Sequence, residues 1–195
     1  MNHWVIRICC ALKLSCLLWL TALGAPVAFS QKYADGHSYY ISPAGNDQGP
    51  GTAIQPWKTL AKVSRTKMYP GDSILLQGCQ TFQGPLSLNM RQAGKSGSPV
   101  TISTFGIKWA RVRTDSGPAL MISHSHHISI SRLSFQGSGR NKGNAADGIQ
   151  LLSCRDLVLD SVDVSGFQKA GLLIFCSFRV MASHVLAHDL SLIHI

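Results

Sequence analysis

Three groups of side chains in this sequence have types and spacings that could do chemistry. The densest is SHSHH, residues 123–127, which sets His124, His126 and His127 within four positions. Two imidazoles this close could share a metal ion or serve as acid and base, so His124 and His126 are candidate metal ligands. No carboxylate or thiol nearby in sequence completes a ligand set. The second group is Asp156, Asp160 and Asp163 in CRDLVLDSVDV. Asp163 lies between apolar Val162 and Val164 and should point outward. An outward cluster of carboxylates offers the oxygen ligands that calcium takes, and it is equally a solvated face. The third group is the loop GSGRNKGN with Arg140 and Lys142, two candidate contacts to an anionic chain. Just beyond it, Asp147 precedes Gly148. Its plain reading is an Asp that hydrogen-bonds its own turn.

The elements that must position these groups are short strands. Residues 119–135 (ALMISHSHHISISRLSF), 148–164 (GIQLLSCRDLVLDSVDV) and 171–187 (GLLIFCSFRVMASHVLA) align without a gap over seventeen positions. The second column holds Leu120, Ile149 and Leu172, and the fourth Ile122, Leu151 and Ile174. The tenth holds Ile128, Leu157 and Val180, and the twelfth Ile130, Leu159 and Ala182. The fifteenth holds Leu133, Val162 and Val185, and the last Phe135, Val164 and Ala187. One copy cannot bury its apolar face, but stacked copies can, with equivalent side chains about 4.8 Å apart. The expected fold is an all-β, right-handed parallel β-helix. A β-sandwich would alternate too, but without column-by-column agreement.

Upstream, Tyr39 to Ser42 reads as a strand and PAGNDQGPGT, residues 43–52, as a loop. PWKTLAKVSR, residues 56–65, reads as a short amphipathic helix with Pro56 at its first position. Strands are expected at residues 73–77 and 100–103. The boundaries drawn are an N-terminal cap over 31–98 and coils over 99–189, three to four in number. No helical pattern follows residue 66.

Residues 1–30 have the form of a secretory signal: Arg7 and Lys13, an apolar run, then Ala28-Phe29-Ser30 as a cleavage site after Ser30. The run is shorter than the ~20 residues that span a bilayer. This predicts a secreted or periplasmic protein with no membrane attachment after cleavage. Removing Arg7 and Lys13 from the 18 basic residues leaves 16 against 9 acids, all Asp, a balance of +7. Such a balance favours a polyanionic partner. Nothing matches a nucleic-acid module, so an acidic polysaccharide is the expected polyanion. Cys79, Cys154 and Cys176 are odd in number and far apart, and read as buried free thiols.

YYISPAGND, Gly51-Thr52, PWKTLAKV, PGDSILLQG and SGSPVTIS together resemble the start of secreted right-handed parallel β-helix proteins, pectate-lyase-like polysaccharide lyases among them. The resemblance covers roughly residues 39–189. It implies action on polysaccharide, most readily as a lyase of uronate-containing chains. Such lyases use an outward-facing Lys or Arg base, often with calcium. It carries no catalytic residue onto a position of this chain. NAADG is a loose echo of the NTDG in which polygalacturonase-like β-helices hold a catalytic Asp, which would make Asp147 part of a glycoside hydrolase. A non-catalytic glycan-binding or surface-structural β-helix is the third possibility. No cofactor is evident beyond that calcium, and a monomer is expected. The last six residues, LSLIHI, resemble what one reading frame of a sequencing adapter encodes. They are expected to be non-native, the alternative being the start of a further coil. On that reading the chain is an N-terminal piece of a longer protein and inactive alone.

Overall fold

The computed structural model describes residues 36–141 and 143–191. Residues 1–30, Lys142 and residues 192–195, to which the sequence assigned a signal, a ligand contact and most of a non-native tail, lie outside the described residues.

The chain winds into a parallel β-helix. Its strands are β1 (Ser38–Ile41), β2 (Ser73–Gln77), β3 (Thr81–Gln83), β4 (Leu86–Leu88), β5 (Val100–Phe105), β6 (Ala110–Arg113), β7 (Leu120–Ser123), β8 (His126–Gln136), β9 (Ile149–Leu152), β10 (Arg155–Ser165), β11 (Leu172–Phe175) and β12 (Phe178–His188). One sheet runs β1-β2-β5-β8-β10-β12, with β3 and β6 joining alongside the second half of β8. The other runs β11-β9-β7-β4. Every pairing between these strands is parallel, as expected when each coil lies on the one before.

The six aligned columns are the register of the ladder. Ile128 pairs Leu157 and Leu157 pairs Val180. Phe135 pairs Val164 and Val164 pairs Ala187. Ile122, Leu151 and Ile174 follow one another in the second sheet. The columns also reach back before residue 99. Ile74 pairs Ile102 and Ile102 pairs Ile130, while Phe82 pairs Val112 and Val112 pairs Phe135. The segment drawn as a cap therefore contains the first complete coil. From Ile74 and Phe82 to Leu157 and Val164 these side chains form one contiguous core, against which Val180 packs partly buried, while Ile174 and Ala187 on the last coil are exposed.

The two-residue alternation breaks once in each long strand, between Ile130 and Leu133, Leu159 and Val162, and Ala182 and Val185. There Arg132, Ser161 and His184 adopt φ of 58°, 53° and 49°. One left-handed residue bends the strand around a corner of the coil and puts the next side chain back inside. His124, Ser153 and Cys176 do the same at the turn before each long strand.

Three sequence expectations need correction. The helix, α1, spans only Leu60–Arg65, with Thr59 as its N-cap. Pro56 does not start it, because the next residue is held extended. The Trp57 N–H donates to Tyr40 O at 2.9 Å, its carbonyl accepts from the Ser42 N–H at 2.8 Å, and the indole stacks on Tyr39 at 4.6 Å. The Asp47 carboxylate then takes the Lys58 and Thr59 N–H groups and sets the cap. The seventeen-position alignment puts SHSHH in the turn between the two strand segments of its copy, but His126 and His127 begin β8, and only His124 and Ser125 bridge the strands. Of the three free thiols, Cys154 is buried, but Cys79 and Cys176 are exposed at left-handed corner positions.

Candidate functional site

Because Phe82, Val112, Phe135 and Val164 point inward, their neighbours Thr81, Arg111, Ser134 and Asp163 stand on the outer face as a column crossing the coils. In β8 and β10 the corner beside this column is turned by a single residue. In the two earlier coils it is a loop: residues 78–80 between β2 and β3, and 106–109 between β5 and β6. The loops are laced together. The Gly78 N–H donates to Phe105 O at 2.9 Å, Cys79 N–H to Trp109 O at 3.2 Å, and Arg111 N–H to Gln80 O at 2.9 Å. Glycine is needed at 78, since a Cβ there would sit 2.3 Å from Ile107 O.

The overhanging loops and the outward column enclose a cleft of about 420 Å³ lined by Cys79, Gln80, Thr81, Lys108, Trp109, Arg111, Ser134 and Asp163. Trp109 is 39% exposed. The Ser134 hydroxyl donates to Asp163 Oδ2 at 2.9 Å, and His188 Nε2 lies 3.0 Å from Asp163 Oδ1. The cleft thus combines an indole, two cations and a carboxylate whose two oxygens are both held. An indole face suits a flat, C–H-rich ring, and the polar groups suit hydroxyls and an acid group.

Among the described residues, the sequence-predicted site residues fall elsewhere, apart from Asp163. The three aspartates of β10 do not converge. Asp156 chelates Arg179 across the ladder, with Nη2 2.7 Å from Oδ2, and has His127 Nε2 at 3.7 Å. The hydrogen bonds from Arg179 hold its carboxyl below the usual range. Asp160 receives His184 Nδ1 at 2.8 Å and the Ser183 hydroxyl at 2.7 Å, which with the Ser161 hydroxyl lower it to about 2. Each carboxylate is already matched by a different partner, so the trio does not fit a calcium ion. Among the described residues no three His, Cys or Asp side chains are arranged to hold a metal. His124 is exposed at its turn. His126 packs edge-on against His127 at 5.3 Å, and burial, then Arg155 and His127, push its imidazole below the usual range.

Asp147 is buried. Its Oδ1 accepts the Ala170 N–H of the next coil and its Oδ2 the Gln150 amide, both at 3.1 Å, so it ties two coils together and does not face the cleft. Arg140 pairs with Asp189 at 3.4 Å, also away from the cleft. Leu190 is buried at the end of the core, and Ser191 donates to Arg140 O at 2.6 Å. Sequence reasoning passed over Lys108, Trp109, Arg111, Ser134 and His188. The available signal was GIKW, residues 106–109: a tryptophan outside every apolar column, in a loop and beside a lysine.

No protein-family model matches the chain. It is 27% identical over 139 residues to a lacto-N-biosidase of Bifidobacterium longum subsp. longum, which covers 68% of this chain and 8% of that protein. It is 28% identical over 108 residues to an uncharacterized protein of Bacillus subtilis, covering 52% of this chain and 22% of that one. Among solved structures, the native GH136 lacto-N-biosidase of Eubacterium ramulus superposes with a TM-score of 0.63 at 18% identity, over 79% of this chain and 34% of that chain. The shared feature is the fold, and the chain spans about a third or less of each of these proteins.

Proposed function

We propose that this is an exported β-helix protein that acts on a glycan held in the cleft beneath Trp109. The observation that carries this reading is the cleft itself: a half-exposed indole over an outward column that carries an oriented carboxylate, with Lys108 and Arg111 beside it. The sequence similarity to a lacto-N-biosidase supports a carbohydrate ligand.

Within that reading, the two cations and the +7 balance of residues 31–195 favour an acidic, uronate-containing chain. A cation beside the uronate carboxylate stabilises the charge that develops when the proton on the adjacent carbon is removed. In a lyase that proton leaves to a base, a carbon–carbon double bond forms, the glycosidic carbon–oxygen bond breaks, and the leaving oxygen takes up a proton. The alternative is hydrolysis, favoured by the lacto-N-biosidase similarity. Hydrolysis ordinarily needs two carboxylates flanking the bond. Asp163 is the one carboxylate among the described residues that line the cleft.

Incubation with pectate, alginate, glycosaminoglycans and neutral glycans separates these readings. Unsaturated-uronate absorbance identifies a lyase, and new reducing ends without absorbance identify a hydrolase. Retention without cleavage identifies a binding module. Trp109→Ala is expected to lower glycan affinity at least tenfold while leaving the melting temperature unchanged, because the indole lies largely outside the core. Unchanged glycan retention by W109A overturns the assignment to this cleft.

A further inference from the structure

We infer that His188 is a positioning residue for Asp163 and that, through it, ligand binding in the cleft is tied to pH. This rests on the glycan reading of the cleft and adds a regulatory group that the cleft lining does not include. His188 closes β12 and continues an outward column with Arg113, Gln136 and Ser165, immediately beside the Asp163 column. Its Nε2 lies 3.0 Å from Asp163 Oδ1, and the Ser134 hydroxyl holds Oδ2. The carboxylate is therefore fixed in plane by one group from the coil before and one from the coil after.

The charges around this pair are few. Lys108 and Arg111 face Asp163 within the cleft. Arg113, at the far end of the His188 column, is paired with Asp115 at 3.8 Å. Asp189, next along the chain, is paired with Arg140. On the same strand, His184 is engaged by Asp160. A neutral imidazole donating through Nε2 leaves Asp163 with its full negative charge. A doubly protonated imidazole cancels that charge, and Lys108 and Arg111 then dominate the cleft. Acidification should thus tighten binding of an anionic sugar, and Asp163 should serve best as a hydrogen-bond acceptor at the upper end of the range.

The test starts from an oligosaccharide array with neutral, uronate and sulfated members. The tightest binder is then titrated calorimetrically at about pH 5.5, 6.5 and 7.5 against wild type, H188Q and H188A. For an anionic ligand, wild-type affinity is expected to fall roughly two- to fivefold across that range. This is the size of one unit charge acting over about two strand spacings of partly hydrated cleft. For a neutral ligand the change should run the other way. His188→Gln keeps a donor but cannot titrate, and should bind with a flat pH profile near the wild-type value at the highest pH. His188→Ala should be flat and weaker. A wild-type slope that survives in H188Q, or a wild-type profile that is flat, overturns the role of His188 while leaving the glycan reading standing. Failure of wild type to bind any array member at any of the three pH values overturns both.

Discussion

The coils before residue 120 and those after it are built on the same columns yet look unlike in sequence. From β8 onward each coil turns its corner on one left-handed residue, Arg132, Ser161 or His184, and the copies align without a gap. In the earlier coils the corner is opened by residues 78–80 and 106–109, and a short 3-10 turn, Met90–Gln92, precedes β5. The inward ladder is unbroken by these loops: Ile74, Ile102, Ile130 and Leu159 follow one another across the boundary. A coil tolerates insertion at a corner because the inserted residues sit outside the ladder, and loop closure costs grow slowly with length. The regular coils supply a straight, polar floor. The irregular ones supply Trp109 and Lys108 to overhang it. A site arises where the two kinds of coil meet.

The strongest way to break this comparison is to cut a column that both regions share. Phe135 is fully buried and pairs Val112 of an irregular coil on one side and Val164 of a regular coil on the other. Phe135→Ala is expected to cost about 3–5 kcal/mol, the range for removing a core phenylalanine. It should be read as a lower urea midpoint in a single transition. Val185→Ala, on the half-buried last coil, should cost under about 1.5 kcal/mol. Equal costs at the two positions would mean that the core does not run continuously through the boundary.

The irregular region is also tied together by a buried polar group. Gln92 is fully buried, and its amide nitrogen donates to Thr66 O at 2.5 Å and to Val63 O and Ser64 O at 3.3 Å. Its side-chain oxygen accepts the Asn89 N–H at 3.0 Å. It thereby closes the C-terminal end of α1 and the start of the 3-10 turn together. Gln92→Ala is expected to cost about 1–3 kcal/mol, since it leaves buried carbonyls without a donor. Gln92→Glu should cost more, because it aims a carboxylate at three carbonyl oxygens. Thermal or urea unfolding of the two variants checks the order. Glu tolerated better than Ala would show that water replaces the amide here.

How much of this could be read from the sequence follows the same division. The later coils were legible because their six columns stay apolar, and even the jump from the twelfth to the fifteenth column recorded the corner. The corner's conformation was not legible, since Arg, Ser and His carry no left-handed signature as Gly or Asn would. The earlier coils hid their membership in two ways. Loops shift the spacing, and Thr104 stands opposite Leu76 where an aliphatic residue would be expected. Thr104 can be buried there because its hydroxyl donates to Arg132 O at 2.7 Å and accepts the Ala110 N–H at 2.9 Å. The helix start was misplaced because proline's local preference for a first helical position yielded to the pairing of Trp57 with Ile41. The candidate site was legible only at Asp163. Arg111 and Ser134 become its neighbours through a register that the loops conceal, and His188 reaches it from 25 residues away.

The smallest expected effect concerns how the last coil is attached. Besides the backbone ladder, its strand β12 is tied to β10 by three aspartates, each facing a different cation or imidazole on β12. Asp160, lowered to about 2 by His184, Ser183 and Ser161, and Asp156, lowered chiefly by Arg179, contribute stability that is present above the ordinary carboxylate range. That contribution is lost as pH falls through the folded-state values, so the window for Asp160 runs from about pH 4 down to about pH 2. Both carboxylates lie at the surface and are screened by water and salt, so the effect should be small and should shrink further at high ionic strength. Hydrogen exchange at low salt should show β12 amides losing protection in that window before those of β8, and Asp160→Asn should remove most of the difference. If β8 and β12 lose protection together on acidification, the last coil is not separately attached, and the contrast between coil types ends at the loops.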